Sequence, residues 1–128
     1  KVAQKKFMLD LFRVWRADAN AIMRQKQEAA SIKRIAPMLT EIIRQGIDEG
    51  VFSTKYPEQF GNIFVGLSHG FEDKLVELLL TDHPPPDAVQ QLEALIGAYS
   101  DSVERILGAP SGSLPLGNIA TMKEWLPK

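Results

Sequence analysis

The chain has 128 residues, a mass of 14.3 kDa, 15 basic and 16 acidic residues and no cysteine. Disulfide scaffolds, thiolate metal sites and cysteine nucleophiles are therefore excluded, and the length predicts one domain with a core that needs no cross-links. Because the sequence starts at Lys1, within an amphipathic pattern, we expect a fragment of a longer protein.

The charge is unevenly distributed. Residues 1–34 contain nine basic and three acidic residues, a balance of +6, whereas the remainder has six against thirteen, a balance of -7. This asymmetry is compatible with a nucleic-acid surface, but we favour pairing with acidic neighbours inside one fold, because the basic residues alternate with apolar side chains at core spacing. The most apolar run, 60–80, contains His69, Glu72, Asp73 and Lys74, so we expect no membrane span and a cytoplasmic location.

Two apolar stripes precede residue 50. The first runs at helical spacing from Met8 to Met23 and continues through Asp18, so no break is predicted there. The second starts at Ile32, extends to Ile47 and is rotated relative to the first, which predicts a break or a bend between about Lys26 and Ser31, with Ser31 as a candidate N-cap. Pro37 lies in the second stripe, where it is tolerated near a helix start or produces a kink.

The stretch 41–58 ends one helix and begins the next. Gly50 can adopt the left-handed conformation that ends a helix, and Phe52 then returns to the apolar side. Pro57 suits the first turn of a new helix. We predict that Gly50 is left-handed and that Phe52 is buried beneath the start of the Pro57 helix.

Two long helices are predicted next, at about 57–80 and 87–107, separated by a turn containing Pro84, Pro85 and Pro86. The first is apolar on two faces, which indicates that it is packed on both sides, and both helices repeat apolar residues with a heptad period. They predict an antiparallel hairpin. The hairpin either pairs with a second copy as a four-helix bundle or packs only against the preceding helices.

After Gly108 the composition is that of a loop, followed by a short helix capped by Asn118 and containing Trp125. The predicted fold is therefore all-α: an antiparallel bundle of about five helices with a C-terminal helical hairpin for dimerisation. We divide it into a helical domain at 1–107 and a Pro/Gly-rich tail at 108–128.

No phosphate loop, zinc-binding His-Glu-x-x-His or nucleophile-elbow motif occurs in the sequence. His69 and its neighbouring carboxylates are more typical of a solvated helix face than of a metal site, so we predict no enzyme, no metal and no cofactor. Met and aromatic side chains can line an adaptable apolar pocket, although such residues are more often ordinary core. The candidate pocket residues are Met8, Phe12, Trp15, Met23, Met38, Phe64 and His69.

The segment Gly46–Phe52, preceded by an apolar helix with Pro37 and followed by Tyr56-Pro57-Glu58, resembles the C-terminal effector domain of tetracycline-repressor-type transcriptional regulators. The resemblance covers about residues 5–107. It implies a small-molecule site among the helices and a homodimer through helices 57–80 and 87–107. The implied interface residues are Gly66, Gly70, Val89, Leu92, Ile96, Tyr99, Val103 and Ile106.

The family's N-terminal helix-turn-helix module has no counterpart in these residues, so the resemblance implies operator binding only through a module missing from this chain. Our leading hypothesis is the effector-binding and homodimerisation domain of a one-component regulator, a repressor that releases operator DNA when a small apolar effector binds. The alternative is a helical protein-interaction or scaffold domain without a small-molecule ligand.

Overall fold

The computed structural model describes residues 2–127, which form five α-helices and no strand. This confirms the predicted all-α fold. The helices are α1 (Val2–Arg16), α2 (Ala21–Asp48), α3 (Pro57–Leu80), α4 (Ala88–Leu107) and α5 (Ile119–Lys123).

The chain turns between α1 and α2, where a single 3-10 turn spans Asp18–Asn20. Our prediction of an unbroken helix through Asp18 was wrong. Side chains from α2 and from the turn donate hydrogen bonds to the last backbone carbonyls of α1, which ends the helix there. Arg24 donates to the carbonyl oxygens of Trp15 at 2.6 Å and Ala17 at 3.0 Å, and Asn20 Nδ2 donates to that of Val14 at 2.6 Å. These bonds satisfy backbone acceptors that a helix end leaves free.

Of the break or bend predicted between Lys26 and Ser31, the break is wrong. Helix α2 runs without interruption for 28 residues, so Ser31 lies inside it and caps nothing. The first stripe reaches α2 only at Ile22 and Met23, which are 70 % and 60 % exposed, whereas the second stripe contributes the buried Ile43. Pro37 lies in the interior of α2, where it removes one backbone hydrogen bond.

The end of α2 follows the prediction. Gly50 has a φ of 78°, and the Gly46 carbonyl accepts from Val51 N at 2.9 Å and Phe52 N at 3.1 Å. Phe52 is half-buried and packs with Ile43 and Phe60. The left-handed turn at Gly50 is confirmed, whereas Phe52 is half-buried and not fully buried as predicted.

Helix α3 packs against both α2 and α4, as its two apolar faces predicted. Val65 and Val76 are buried on one side, and Gly61 lies against the backbone of Ala36 on α2. The other side faces α4, where the rings of Phe71 and Tyr99 meet edge to face with centroids 5.5 Å apart. The α3–α4 pair therefore forms the predicted hairpin.

Helix α4 ends at Gly108, whose φ is 63°. The following residues return along α4 and complete the core instead of leaving the body: Leu114 packs with Val103 and Leu107, and Leu126 is 6 % exposed in the cluster around Leu92. The predicted Asn118 cap is confirmed by the 3.2 Å bond that its Oδ1 accepts from Thr121 N.

Candidate functional site

An apolar cavity of about 230 Å³ lies between α1, α3 and α5. Its wall consists only of apolar side chains: two from α1, two from α3, one from α5 and one from the turn after α5. We call this space the apolar cavity. Its lining residues are Met8, Phe12, Leu75, Leu79, Met122 and Trp125.

The lining residues follow from helix spacing. Met8 and Phe12 are four residues apart on α1, as are Leu75 and Leu79 on α3, so each pair occupies one helix face. Met122 and Trp125 come from α5 and the turn after it. Leu126 beside them is buried in the core, which fixes the position of this wall.

A second cavity, of about 210 Å³, lies between α1, α2 and α3 and is mainly polar. Trp15 and His69 line it together with several charged side chains. Arg16 donates to Asp73 at 2.6 Å, and His69 Nδ1 lies 3.7 Å from a Glu28 carboxylate oxygen. The third basic side chain of the lining, Arg24, donates to the backbone carbonyls of Trp15 and Ala17. Arg16, His69 and Arg24 are thus each engaged within the chain.

Phe64 lines a third space, of about 220 Å³, with Phe71, Tyr99, Val103 and Leu116. A fourth groove, of about 310 Å³, lies near the turn that joins α3 to α4. Its walls include Lys74, Glu77 and Gln91, which makes it a solvated surface groove.

The structure distributes the predicted pocket residues over several places. Met8 and Phe12 share the apolar cavity, whereas Trp15 and His69 share the polar one. Met23 and Met38 are 60 % and 62 % exposed on the outer side of α2 and line none of the four spaces. The seven residues therefore do not form a single pocket within one chain.

The predicted interface residues also divide into two groups. Leu92, Ile96 and Val103 are at most 4 % exposed and form the core of the chain itself. The others retain accessible surface: Tyr99 lies over Gly70, Ile106 is half-buried, and Val89 and Gly66 are exposed. Nothing occupies the space where a Gly66 side chain would lie.

The most consequential feature that the sequence did not reveal is the anchor of the tail. Glu104 is buried, and its carboxylate accepts from Gly112 N at 3.0 Å and from Leu114 N at 2.8 Å. Further along, Ser100 Oγ accepts from Leu116 N, Lys123 pairs with Glu93 at 2.8 Å, and Lys5 donates to the Glu124 carbonyl at 2.8 Å. In the sequence, the only sign of this anchor is that the acidic residue Glu104 lies on the apolar side of α4.

One ion pair at the start of α3 shifts the pKa values of its two side chains. Arg44 on α2 donates to Glu58, and this hydrogen bond and the attraction between the charges lower the pKa of the Glu58 carboxyl. The same contact raises the pKa of Arg44. Both groups are exposed, so the pair orients two helices more than it stabilises them.

Neither a metal site nor a membrane helix is found within residues 2–127. These residues contain no group of three or more His, Asp and Glu side chains placed to hold a metal ion. Likewise, none of the helices that they form is both long and apolar enough to span a bilayer.

Comparison with protein families gives one match. The family described as tetracyclin repressor-like, C-terminal domain matches residues 10–80, which is more than half of the chain and extends from α1 to the end of α3. Neither the curated proteins nor the solved structures gave a match. The chain belongs to the family of tetracyclin repressor-like C-terminal domains.

Proposed function

We propose that this domain binds a small apolar effector and forms a homodimer, and thereby controls operator binding by a transcriptional repressor in the cytoplasm. The observation that carries the proposal is the apolar cavity, which lies at the helices of a regulator-family domain and is lined by apolar side chains alone. The operator would be contacted by a module outside these residues.

The position of the apolar cavity supports a coupling role. Its walls come from three helices, so a bound molecule would fix α1 relative to α3 and α5. The Arg16–Asp73 pair joins α1 to α3 at a second point. An effector that prefers one arrangement of α1 would shift the regulator between two states, and coupling of about 1–3 kcal/mol is typical of such systems.

The homodimer would use the outer face of the α3–α4 hairpin. Ile63 is 45 % exposed there, Gly66 leaves open space, and Tyr99 and Ile106 keep part of their surface accessible. Small residues allow another backbone to approach closely, and Ile63 supplies apolar area. The buried residues Leu92, Ile96 and Val103 support this face from inside the chain.

Thermal unfolding in the presence of a library of small neutral molecules tests effector binding. A molecule that binds only the folded state, at a hundredfold excess over its Kd, adds about 2.7 kcal/mol to the free energy of unfolding. The binder should lose its effect in Phe12→Ala, which alters the apolar cavity, and keep it in Phe7→Ala, because Phe7 is 61 % exposed on the other side of α1. A library without any binder would refute effector binding.

A helical protein-interaction domain remains the alternative, and one observation favours it. Phe7, Leu11 and Val14 recur at helical spacing on α1 and are 61 %, 46 % and 64 % exposed. Light scattering separates the two functions: the effector domain predicts a particle of twice 14.3 kDa, whereas the alternative predicts a particle of 14.3 kDa without its partner.

A further inference from the structure

The C-terminal segment, residues 109–127, forms one wall of the apolar cavity. We infer that Met122 and Trp125 contact the ligand directly and select a neutral, apolar molecule of about the size of a bicyclic aromatic. This inference rests on the proposed function, and it assigns ligand selection to residues beyond the family-matched segment, which ends at residue 80.

The wall is held firmly enough to shape a site. The buried Glu104 carboxylate binds two backbone N–H groups of the segment, and Ser100 binds a third. Further along, Lys5 and Glu93 fix both sides of α5 through Glu124 and Lys123. Because Leu126 is buried in the core, the Trp125 side chain beside it is kept at the edge of the apolar cavity.

The ε-methyl group of Met122 packs over Gly117. A Cβ atom on Gly117 would come 2.5 Å from the Met122 ε-methyl group, so the absence of a side chain at position 117 provides the room that this methyl occupies. Methionine is unbranched and polarisable, and it adapts to the outline of an apolar ligand. Trp125 adds a large flat surface with a fixed position.

The chemistry of the wall defines the ligand class. None of the six lining side chains carries a charge, so an ionised ligand would lose hydration without gaining a charged partner. A cavity of about 150 Å³ is known to hold benzene. The apolar cavity measures about 230 Å³ and is open to solvent on one side, so it has room for a second fused ring with one edge left exposed.

Methyl NMR on the unmodified chain tests this assignment, with naphthalene as the probe. The protein has four methionines: Met8 and Met122 line the apolar cavity, whereas Met23 and Met38 are exposed elsewhere. Naphthalene should shift the ε-methyl signals of Met8 and Met122 through its ring current and leave the other two unchanged. Equal shifts of all four signals would indicate surface binding and overturn the inference.

Two comparisons test selectivity. Naphthalene-2-sulfonate has the same rings with an added charge and should bind at least about tenfold more weakly, since the wall cannot pair its charge. Trp125→Ala should weaken naphthalene binding by about tenfold, whereas Phe7→Ala should not change it. Equal affinity for the two probes would overturn the ligand class.

The outcomes separate this inference from the proposed function. If naphthalene shifts Met8 but not Met122, and Trp125→Ala binds it as tightly as the parent chain, the segment selects nothing, while effector binding between the other helices stands. If neither methyl responds but another neutral molecule raises the unfolding temperature, the inference also fails and the proposed function stands. The methyl result needs no variant, so a loss of folding in Trp125→Ala would not obscure it.

Discussion

Gly61 on α3 lies directly against Ala36 on α2: a Cβ atom at position 61 would come 2.6 Å from the Ala36 Cα atom. The end of a flexible side chain could move away from such a contact, but the backbone atoms of two packed helices cannot. We therefore expect Gly61→Ala to separate α2 from α3 and to lower the free energy of unfolding by about 1–3 kcal/mol.

Gly97→Ala is the matched control for that change. Gly97 is also inside a helix, but nothing lies within 4 Å of the position that its Cβ would take. Alanine should therefore stabilise the chain by up to about 1 kcal/mol through helix propensity. Urea denaturation of both variants measures the difference, and an equal effect of the two substitutions would contradict the close approach of α2 and α3.

The tail should depend on Glu104. Glu104→Ala removes the acceptor of Gly112 N and Leu114 N, and hydrogen bonds to a charged group contribute about 1.5–3 kcal/mol. We expect a loss of that size in denaturation experiments and faster hydrogen exchange at both amides.

Asp101→Ala serves as the control because its pair with Arg105 is on the surface of the same helix. Exposed ion pairs at this spacing contribute about 0.3–0.5 kcal/mol to the free energy of unfolding. Asp101→Ala should therefore cost little stability, and the amides of Gly112 and Leu114 should keep their protection against hydrogen exchange. A stable Glu104→Ala variant with unchanged exchange would show that the apolar contacts alone hold the segment.

The Arg44–Glu58 pair should make the stability of the fold depend on pH. Its hydrogen bond lowers the pKa of Glu58 in the folded chain, so its contribution to stability is complete above the ordinary carboxyl pKa and disappears as the pH falls through the lowered value. A carboxyl-detected NMR titration should find the pKa of Glu58 below its ordinary value. Arg44→Gln should raise this pKa, but only part of the way, because the hydrogen bond to the backbone of Glu58 itself remains and also lowers it. An unchanged pKa in that variant would exclude Arg44 as the cause.

If the outer face of the α3–α4 hairpin forms the proposed homodimer, a charge placed on it should separate the two chains. Ile63→Arg places a charge on the proposed dimer interface and should reduce the particle from twice 14.3 kDa to 14.3 kDa in light scattering. Ile42→Arg is the control, because Ile42 is 56 % exposed on α2, compared with 45 % for Ile63 on α3. Dissociation by Ile42→Arg alone would place the interface on α2.

The sequence predicted the helix ends best where glycine and proline mark them. Pro57 begins α3, and Gly50 and Gly108 take left-handed conformations after α2 and α4. The turn after α1 could not be located in this way, because Arg24 and Asn20 cap α1 through side chains six to nine residues further along the chain. The offset between the two apolar stripes does not mark a break, because Ile22 and Met23 at the end of the first stripe are exposed on α2.

The candidate site was less predictable because it depends on the angles between helices. Of the candidate pocket residues, Met8 and Phe12 lie together in the apolar cavity, but Trp15 faces the polar cavity and Met38 faces outward. Trp125 joins the apolar cavity only because the tail folds back along α4, and this path is set by the long-range contact of Glu104 with Gly112 and Leu114.

The unbroken course of α2 has a mechanical consequence. Its 28 residues form a rod of about 42 Å, so each degree of tilt at one end displaces the other by about 0.7 Å. Arg24 fastens one end to the last turn of α1, and Gly46 holds the Phe52 ring near the other. A tilt of α2 at its Arg24 end would therefore be largest at the contact between Gly46 and the Phe52 ring.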